Sequence, residues 1–264
     1  MDRAPQFDVF HAQRSRGEVK LGFGPRGVEH FREEGATKLR LPQGSNEAIL
    51  INTSGGLAGG DRHEIAIHVA PDAALTVTTQ AAERVYRSLG PAAQLNVSLK
   101  VEPRAQLCWL PQETILFEGA HLHRTLNVDL AEDAELLCLE SLVLGRTAMG
   151  ETVIHSQMKD SWNIARGGVL LHAERLRFGP DLPRGLASLS SARAMATLVL
   201  VSPRAEQHVE AVKLTLGPAS GVSCWNGKLV ARLLEDDGFL LKKSLARVIA
   251  ALSGSISVPS VWAL

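Results

Sequence analysis

Long apolar runs, a leader-like start and an excess of either charge are all missing from this chain of 264 residues. No stretch of 18 apolar residues occurs, so no segment reads as a transmembrane helix. The start, MDRAPQFDVFHAQRSRGEV, has no apolar signal core, and a cytoplasmic location is expected. Lys plus Arg and Asp plus Glu both number 28, a net charge of zero. That leaves no electrostatic footprint for nucleic acid or an anionic membrane. It also predicts limited solubility alone or a lasting protein partner. Aromatic residues are 5%, with one tyrosine, Tyr86, so little is on offer for stacking sugars. The three cysteines, Cys108, Cys138 and Cys224, form no CxxC, which excludes a zinc knuckle or a redox pair by spacing.

Nucleophile and phosphate motifs are also missing. There is no GxSxG, and no histidine or acid stands at a recognisable spacing from a cysteine. The glycine-rich stretch INTSGGLAGGDRHEI (51–65) lacks the GK[ST] of a phosphate loop. It does not match GxGxxG either, and a strand pattern follows it instead of a helix. An acid, Asp61, closes it where a phosphate would be repelled. The glycines therefore predict a tight corner with positive φ or close backbone approach, with Asp61 at the rim of a polar interior.

What is present is a repeat. Ile65, Ile67 and Val69 alternate into the turn APDA, followed by Ala73, Leu75 and Val77. Val97, Leu99 and Val101 lead through EPRA to Ala105, Leu107 and Trp109. Leu126, Val128 and Leu130 lead through AEDA to Ala134, Leu136 and Cys138. Period-two alternation means strands with one buried face, and the polar turns mark their connections. Three such units stacked side by side bury a continuous interior. The predicted fold is mainly β, a β-helix-like or solenoid-like stack of strand pairs, in one domain over residues 1–264. A Greek-key sandwich would carry similar strands. About two helices are expected toward the C-terminus. Residues 205–216 have helical spacing through Val209, Val212 and Leu216. Residues 236–252 place Leu241, Leu245, Val248, Ile249 and Leu252 on one side, with acids at the start.

The same register leaves polar residues just past each second strand. These are Thr79 and Gln80, then Gln112 and Glu113, then Glu140. Stacking would bring them to one edge. Glu140 and Glu174 interrupt apolar stretches, where an acid is costly unless paired or functional. A structural pairing would join Glu174 to Arg175 or Arg177, Glu140 to Arg146, and Asp61 to Arg62 or Arg84. His121 and His123 share an outward face of HLHR, half of a metal site at most.

The stretches SGGLAGGDRHEI, TTQAAERVYRS, WLPQETILFEGAHLHRT, LGRTAMGE and HAERLRF, taken in that order, resemble the UreD (UreH) family of urease accessory proteins. REEGATKLRLP and PSVW fit as well, so the resemblance spans nearly the whole chain. One departure is NTSGG, where many members have a proline before the glycines. The resemblance implies a non-enzymatic scaffold for nickel delivery to apo-urease, with UreF and UreG as further partners. It also implies a β-helix-like fold and an internal nickel passage. No tightly bound cofactor is expected, only nickel in transit. For that passage the candidate metal path is Asp61, Glu140 and Glu174, with Thr79, Gln80, Gln112 and Glu113 as lining. The helix face of Leu241, Leu245 and Val248 is the candidate contact for UreF. The alternative is a β-helical carbohydrate-active hydrolase or lyase using Asp61 and Glu113 as paired carboxylates.

Overall fold

The structure is a computed structural model that describes residues 13–146, 149–179, 189, 191–252 and 258–262. Along the chain run β1 (Arg16–Gly24), β2 (Gly27–Gly35), β3 (Thr37–Arg40), β4 (Glu47–Asn52), β5 (Arg62–Val69) and β6 (Ala74–Thr79). Then come β7 (Glu83–Val85), β8 (Ala93–Val101), β9 (Gln106–Leu110), β10 (Thr114–Leu116), β11 (His121–Leu130) and β12 (Glu135–Leu144). The last part holds β13 (Gln157–Arg166), β14 (Val169–Phe178), β15 (Ala194–Val201), α1 (Val209–Lys213), β16 (Gly221–Trp225), β17 (Lys228–Glu235) and α2 (Gly238–Ala251).

The three repeats are three stacked turns of chain. The first strand of each, β5, β8 and β11, lies parallel in one sheet, and the second, β6, β9 and β12, lies parallel in a facing sheet. The corners between them are tight. Ala73 N–H donates to the carbonyl of Ala70, Ala105 to Glu102, and Ala134 to Ala131. Each of the three alanines is buried at its corner. The corners also tie to each other: Arg104 makes a two-pronged bond to Asp72 at 2.6 and 2.8 Å. This solenoid-like stack is what the spacing of the alanines predicted.

Strands outside the repeat extend both sheets. Sheet 1 runs β14-β13-β11-β8-β5-β1-β2, and sheet 2 runs β16-β17-β15-β12-β9-β6-β4-β3, with β10 beside β12 and β7 beside β10. The inward faces of both sheets form one core, which includes Ile67, Leu99, Val128, Leu107, Leu136, Cys138 and Trp162. Fully burying side chains of this size stabilises by about 1.5–3 kcal/mol each, before the opposing chain entropy.

The outer face of sheet 2 is apolar too, because both helices cover it. Leu241, Leu245, Val248 and Ile249 of α2 pack with Cys108, Leu137, Leu139 and Leu198. Asp237 starts α2, its carboxylate accepting from Leu240 N–H at 2.8 Å. The helical spacing of 205–216 yields a single 3₁₀ turn, 205–208, followed by the short α1, with Val212 buried and Val209 and Leu216 half-covered. No helix of the described residues is long and apolar enough to cross a membrane.

Candidate functional site

Two rows of side chains face each other between the sheets, near the ends of the strands. In sheet 1 the strand register aligns Gly17, His63, Leu95, Arg124 and Asp160 across β1, β5, β8, β11 and β13. In sheet 2, Thr79 lies two residues past Val77 and Glu140 two past Cys138. Both reference residues pair with Trp109 of β9, so Thr79 and Glu140 share the inward row. One cavity of about 170 Å³ runs between these rows. Its lining includes Thr37, His63, Thr79, Gln80, Ala82, Glu83, Trp109, Gln112, Arg124 and Glu140. Larger grooves lie on the outer face of sheet 1 and at its open edge. Only the inter-sheet cavity of these three borders the buried charges.

The inner end of the cavity is an ion triad. The Arg124 guanidinium donates to both oxygens of Asp160, Nε at 3.0 Å and Nη2 at 2.5 Å. Its Nη1 pairs with Glu140 and reaches Thr114 Oγ1 at 3.3 Å. The other oxygen of Glu140 accepts from Trp109 Nε1 at 2.9 Å. All three charged groups are buried. Burial pushes the Glu140 carboxyl upward against the pull of Arg124, and Asp160 adds to the push. Two acids against one base leave the ionised triad one negative charge in excess.

At the other end stands Glu83, the first residue of β7. Asn52 Nδ2 bridges its two oxygens at 3.0 and 3.1 Å. Burial pushes its carboxyl up to about 7, with the Asn52 bond working against the rise. His63 is held by Thr37 Oγ1 at 2.8 Å and Ser15 Oγ at 3.2 Å. Burial keeps its imidazole below the usual range, and the nearby Asp61 opposes that. Gly17 makes room for this pair, since a Cβ there would stand 2.0 Å from Thr37 Oγ1.

Gln112 fixes the lining on the sheet 2 side. Its Nε2 donates to the carbonyls of Thr79 (3.0 Å) and Gln80 (2.7 Å), and its Oε1 accepts from Lys242 of α2 at 3.0 Å. The helix thus braces the cavity wall from outside.

Of the residues expected along a passage, the fold brings Thr79, Gln80, Gln112 and Glu140 around one cavity. Glu113 sits apart, in a crevice beside Gly238 and Lys242 of α2. Asp61 is a backbone tie: its carboxylate accepts from Ser15 N–H and Ala58 N–H, each at 2.7 Å. It pairs with neither Arg62 nor Arg84. The glycines before it form the expected corner. Gly56 has φ 145°, and a Cβ on Gly59 would stand 1.9 Å from Ser88 Oγ. Glu174 bonds Arg232 of β17 across the open edge at 2.6 and 3.2 Å, instead of Arg175 or Arg177. Arg146 pairs with Glu151, not with Glu140.

The face of Leu241, Leu245 and Val248 corrects the expected partner contact. All three are buried against the outer face of sheet 2, so the chain itself occupies that stripe. Asp61 and Glu113 share no cavity wall, which removes the paired-carboxylate arrangement of a glycosidase. His121 and His123 are half-buried with ring centroids 5.1 Å apart. No group of three His, Cys, Asp or Glu among the described residues could hold a metal ion.

Arg124, Asp160, Glu83 and Asn52 are among the members of the site that escape the sequence reading. Two of them carry a readable signal. Arg124 is in phase with Leu122 and Leu126, and Asp160 with Met158 and Trp162. Each is therefore a charge on a buried strand face.

Comparison with known proteins gives the family. The family model described as UreD urease accessory protein matches residues 15–263. A urease accessory protein UreD of Rhizobium johnstonii is 44% identical over 267 residues, covering 96% of each chain. One from Chelativorans sp. is 42% identical over 263 residues, 96% of this chain and 95% of its own. One from Brucella suis is 42% identical over 260 residues, 94% and 93%. On this evidence the chain belongs to the UreD family of urease accessory proteins.

Proposed function

We propose that this protein serves urease maturation as a non-enzymatic, cytoplasmic scaffold that passes nickel toward apo-urease through the inter-sheet cavity. UreF and UreG are the further partners of the assembly on this reading. The observation that carries it is the cavity itself. Carboxylate, imidazole, amide and hydroxyl groups line one continuous space between the sheets and lead to a triad with excess negative charge.

The chemistry suits transit. Imidazole accepts nickel readily, and amide and hydroxyl oxygens are harder, weaker ligands for it. Donors spread along a wall hold an ion briefly at each point. Glu83 and Glu140 supply charge at the two ends. Both have burial working against ionisation, so an arriving cation would stabilise the ionised form and release a proton.

The test fills the cavity without touching the triad. Ala82 is a half-buried lining residue. An Ala82→Trp variant should still assemble with UreF, UreG and apo-urease in a pull-down. Urease recovered from that assembly should hold less than a tenth of the nickel and activity seen with the unaltered chain. Normal nickel content with an intact assembly would reject conduction through this cavity. Failure to assemble would instead assign the loop to a partner contact.

A further inference from the structure

Sheet 2 is one strand wider than sheet 1 on the side where pairing turns antiparallel. The Glu174–Arg232 ion pair sets β14, the last strand of sheet 1, opposite β17. Among the described residues, no strand of sheet 1 faces the next strand of sheet 2, β16. Its inward residues follow from register: Gly221 pairs with Arg232, Ser223 with Val230 and Trp225 with Lys228. Val230 belongs to the inter-sheet core, which fixes that face as the inner one. Two of the three inward residues on β16 are therefore small, and the third, Trp225, is 45% exposed. Together with Leu176 and Phe178 of β14 they border an open groove of about 580 Å³.

Among the described residues, both strands beside this groove have a free edge. β14 pairs only with β13, and β16 only with β17. A free edge offers a row of unpaired backbone groups, a template for another strand. The edge of β14 is ten residues long, about 30 Å. Its outward side chains include Arg175 and Arg177, both exposed. The Arg175 guanidinium is turned back over β13, donating to the Trp162 carbonyl and to Asn163 Oδ1 at 2.5 Å, which leaves Arg177 as the charge at the edge. Among the described residues no carboxylate lies within ion-pair distance of either.

We propose that an extended segment of a partner protein adds to β14 as an eighth strand of sheet 1. Its inward side chains would be bulky and apolar, seated over Gly221, Ser223 and Trp225. Its outward side chains would be acidic, beside Arg177. A second copy of this chain does not suit the edge. Two β14 strands meeting across a two-fold axis would set arginines against arginines, which destabilises cross-strand pairing. This docking site is independent of conduction through the inter-sheet cavity.

The test uses the full chain and two labelled nine-residue peptides, one alternating valine with glutamate, the other valine with lysine. Fluorescence anisotropy reads binding, and amide hydrogen exchange reads its location. The glutamate peptide should bind at least tenfold more tightly and slow exchange along β14. Arg177→Glu, at an exposed position, should reverse the order of the two peptides. Ser223→Trp should fill the shelf and abolish binding of both; thermal melting checks that this variant is folded. Should Ser223→Trp not fold, the Arg177→Glu reversal and the β14 protection decide alone. Equal binding of the two peptides, no saturable binding, or protection elsewhere would overturn the proposal. So would slowing of β14 exchange with protein concentration alone, which would make the occupant a second copy.

Discussion

Glu83 offers a perturbation whose size can be worked out. Its carboxyl sits at about 7 in the folded chain against 4.5 for the free group. Each pH unit of such a difference corresponds to about 1.4 kcal/mol. The ionised form therefore costs the folded state about 3 kcal/mol, an upper bound because Glu83 keeps partial contact with water. The sign follows from proton counts. Between 4.5 and 7 the folded chain keeps a proton that the unfolded chain has released, so stability falls as pH rises through that window. Above it the loss is complete. Glu83→Gln removes the titration. Urea unfolding at pH 5 and pH 8 should show the variant gaining about 2–3 kcal/mol relative to the unaltered chain between the two values. His63 acts in the opposite direction, losing stability as pH falls below 6.5. It is present in both proteins and cancels in the difference. Stability curves that stay parallel within about 0.5 kcal/mol would refute the burial argument for Glu83.

Three further comparisons test the frame around the cavity. Arg124→Leu strands Glu140 and Asp160 without their base and should cost about 3–5 kcal/mol of unfolding free energy, whereas Glu140→Gln, which leaves the Arg124–Asp160 fork intact, should cost clearly less. Leu245→Ala in the buried face of α2 should lower stability by about 2–5 kcal/mol, while Phe239→Ala, at a position 65% exposed, should stay within about 0.5 kcal/mol; urea titration of both separates an occupied face from a free one. Gly59→Ala should cost about 1–3 kcal/mol, and adding Ser88→Ala should not restore it in the melting curve, because the Pro91 carbonyl would still stand 2.7 Å from the new Cβ.

The repeat was legible because strand alternation and a turn of fixed length are local properties. Ala73, Ala105 and Ala134 mark each corner, and the register of one turn dictates the register of the next. The lining of the cavity was legible for a similar reason: Thr79 and Glu140 stand at equivalent points of their turns, and Gln112 lies one residue further along in the turn between. Partners were not legible in the same way. Glu140 meets Arg124 from the facing sheet, 16 residues away in sequence. Glu174 meets Arg232, 58 residues away. The neighbours Arg146 and Arg175 are closer along the chain or in a tempting register, yet the facing sheet decides. Asp61 misled for a different reason. An acid after glycines reads as functional, but loop backbone N–H groups need acceptors when buried, and Asp61 supplies them to Ala58 and Ser15.

Arg124 changes what the passage can be. An arginine on a conducting path opposes any cation, and its charge cannot be removed by deprotonation. Here the guanidinium is spent. Four of its contacts go to Asp160, Glu140 and Thr114, which fixes it in the plane between the two sheets. The carboxylates answer its charge twice over, so the inner end of the cavity stays net negative while both acids are ionised. Glu140 is the weaker partner of the two, since it offers Arg124 one oxygen and gives the other to Trp109. On the proposed reading, an ion that reaches this end meets Glu140 first, because Glu140 and not Asp160 lines the cavity. Nickel then competes with the guanidinium for a single carboxylate, while the two-pronged bond to Asp160 keeps Arg124 anchored. Arg124 and Asp160 both belong to sheet 1, so their bond keeps the guanidinium in place while Glu140 is engaged, and only the 3.3 Å contact with Thr114 Oγ1 then crosses to the other sheet. Anchoring and conducting duties fall on different acids.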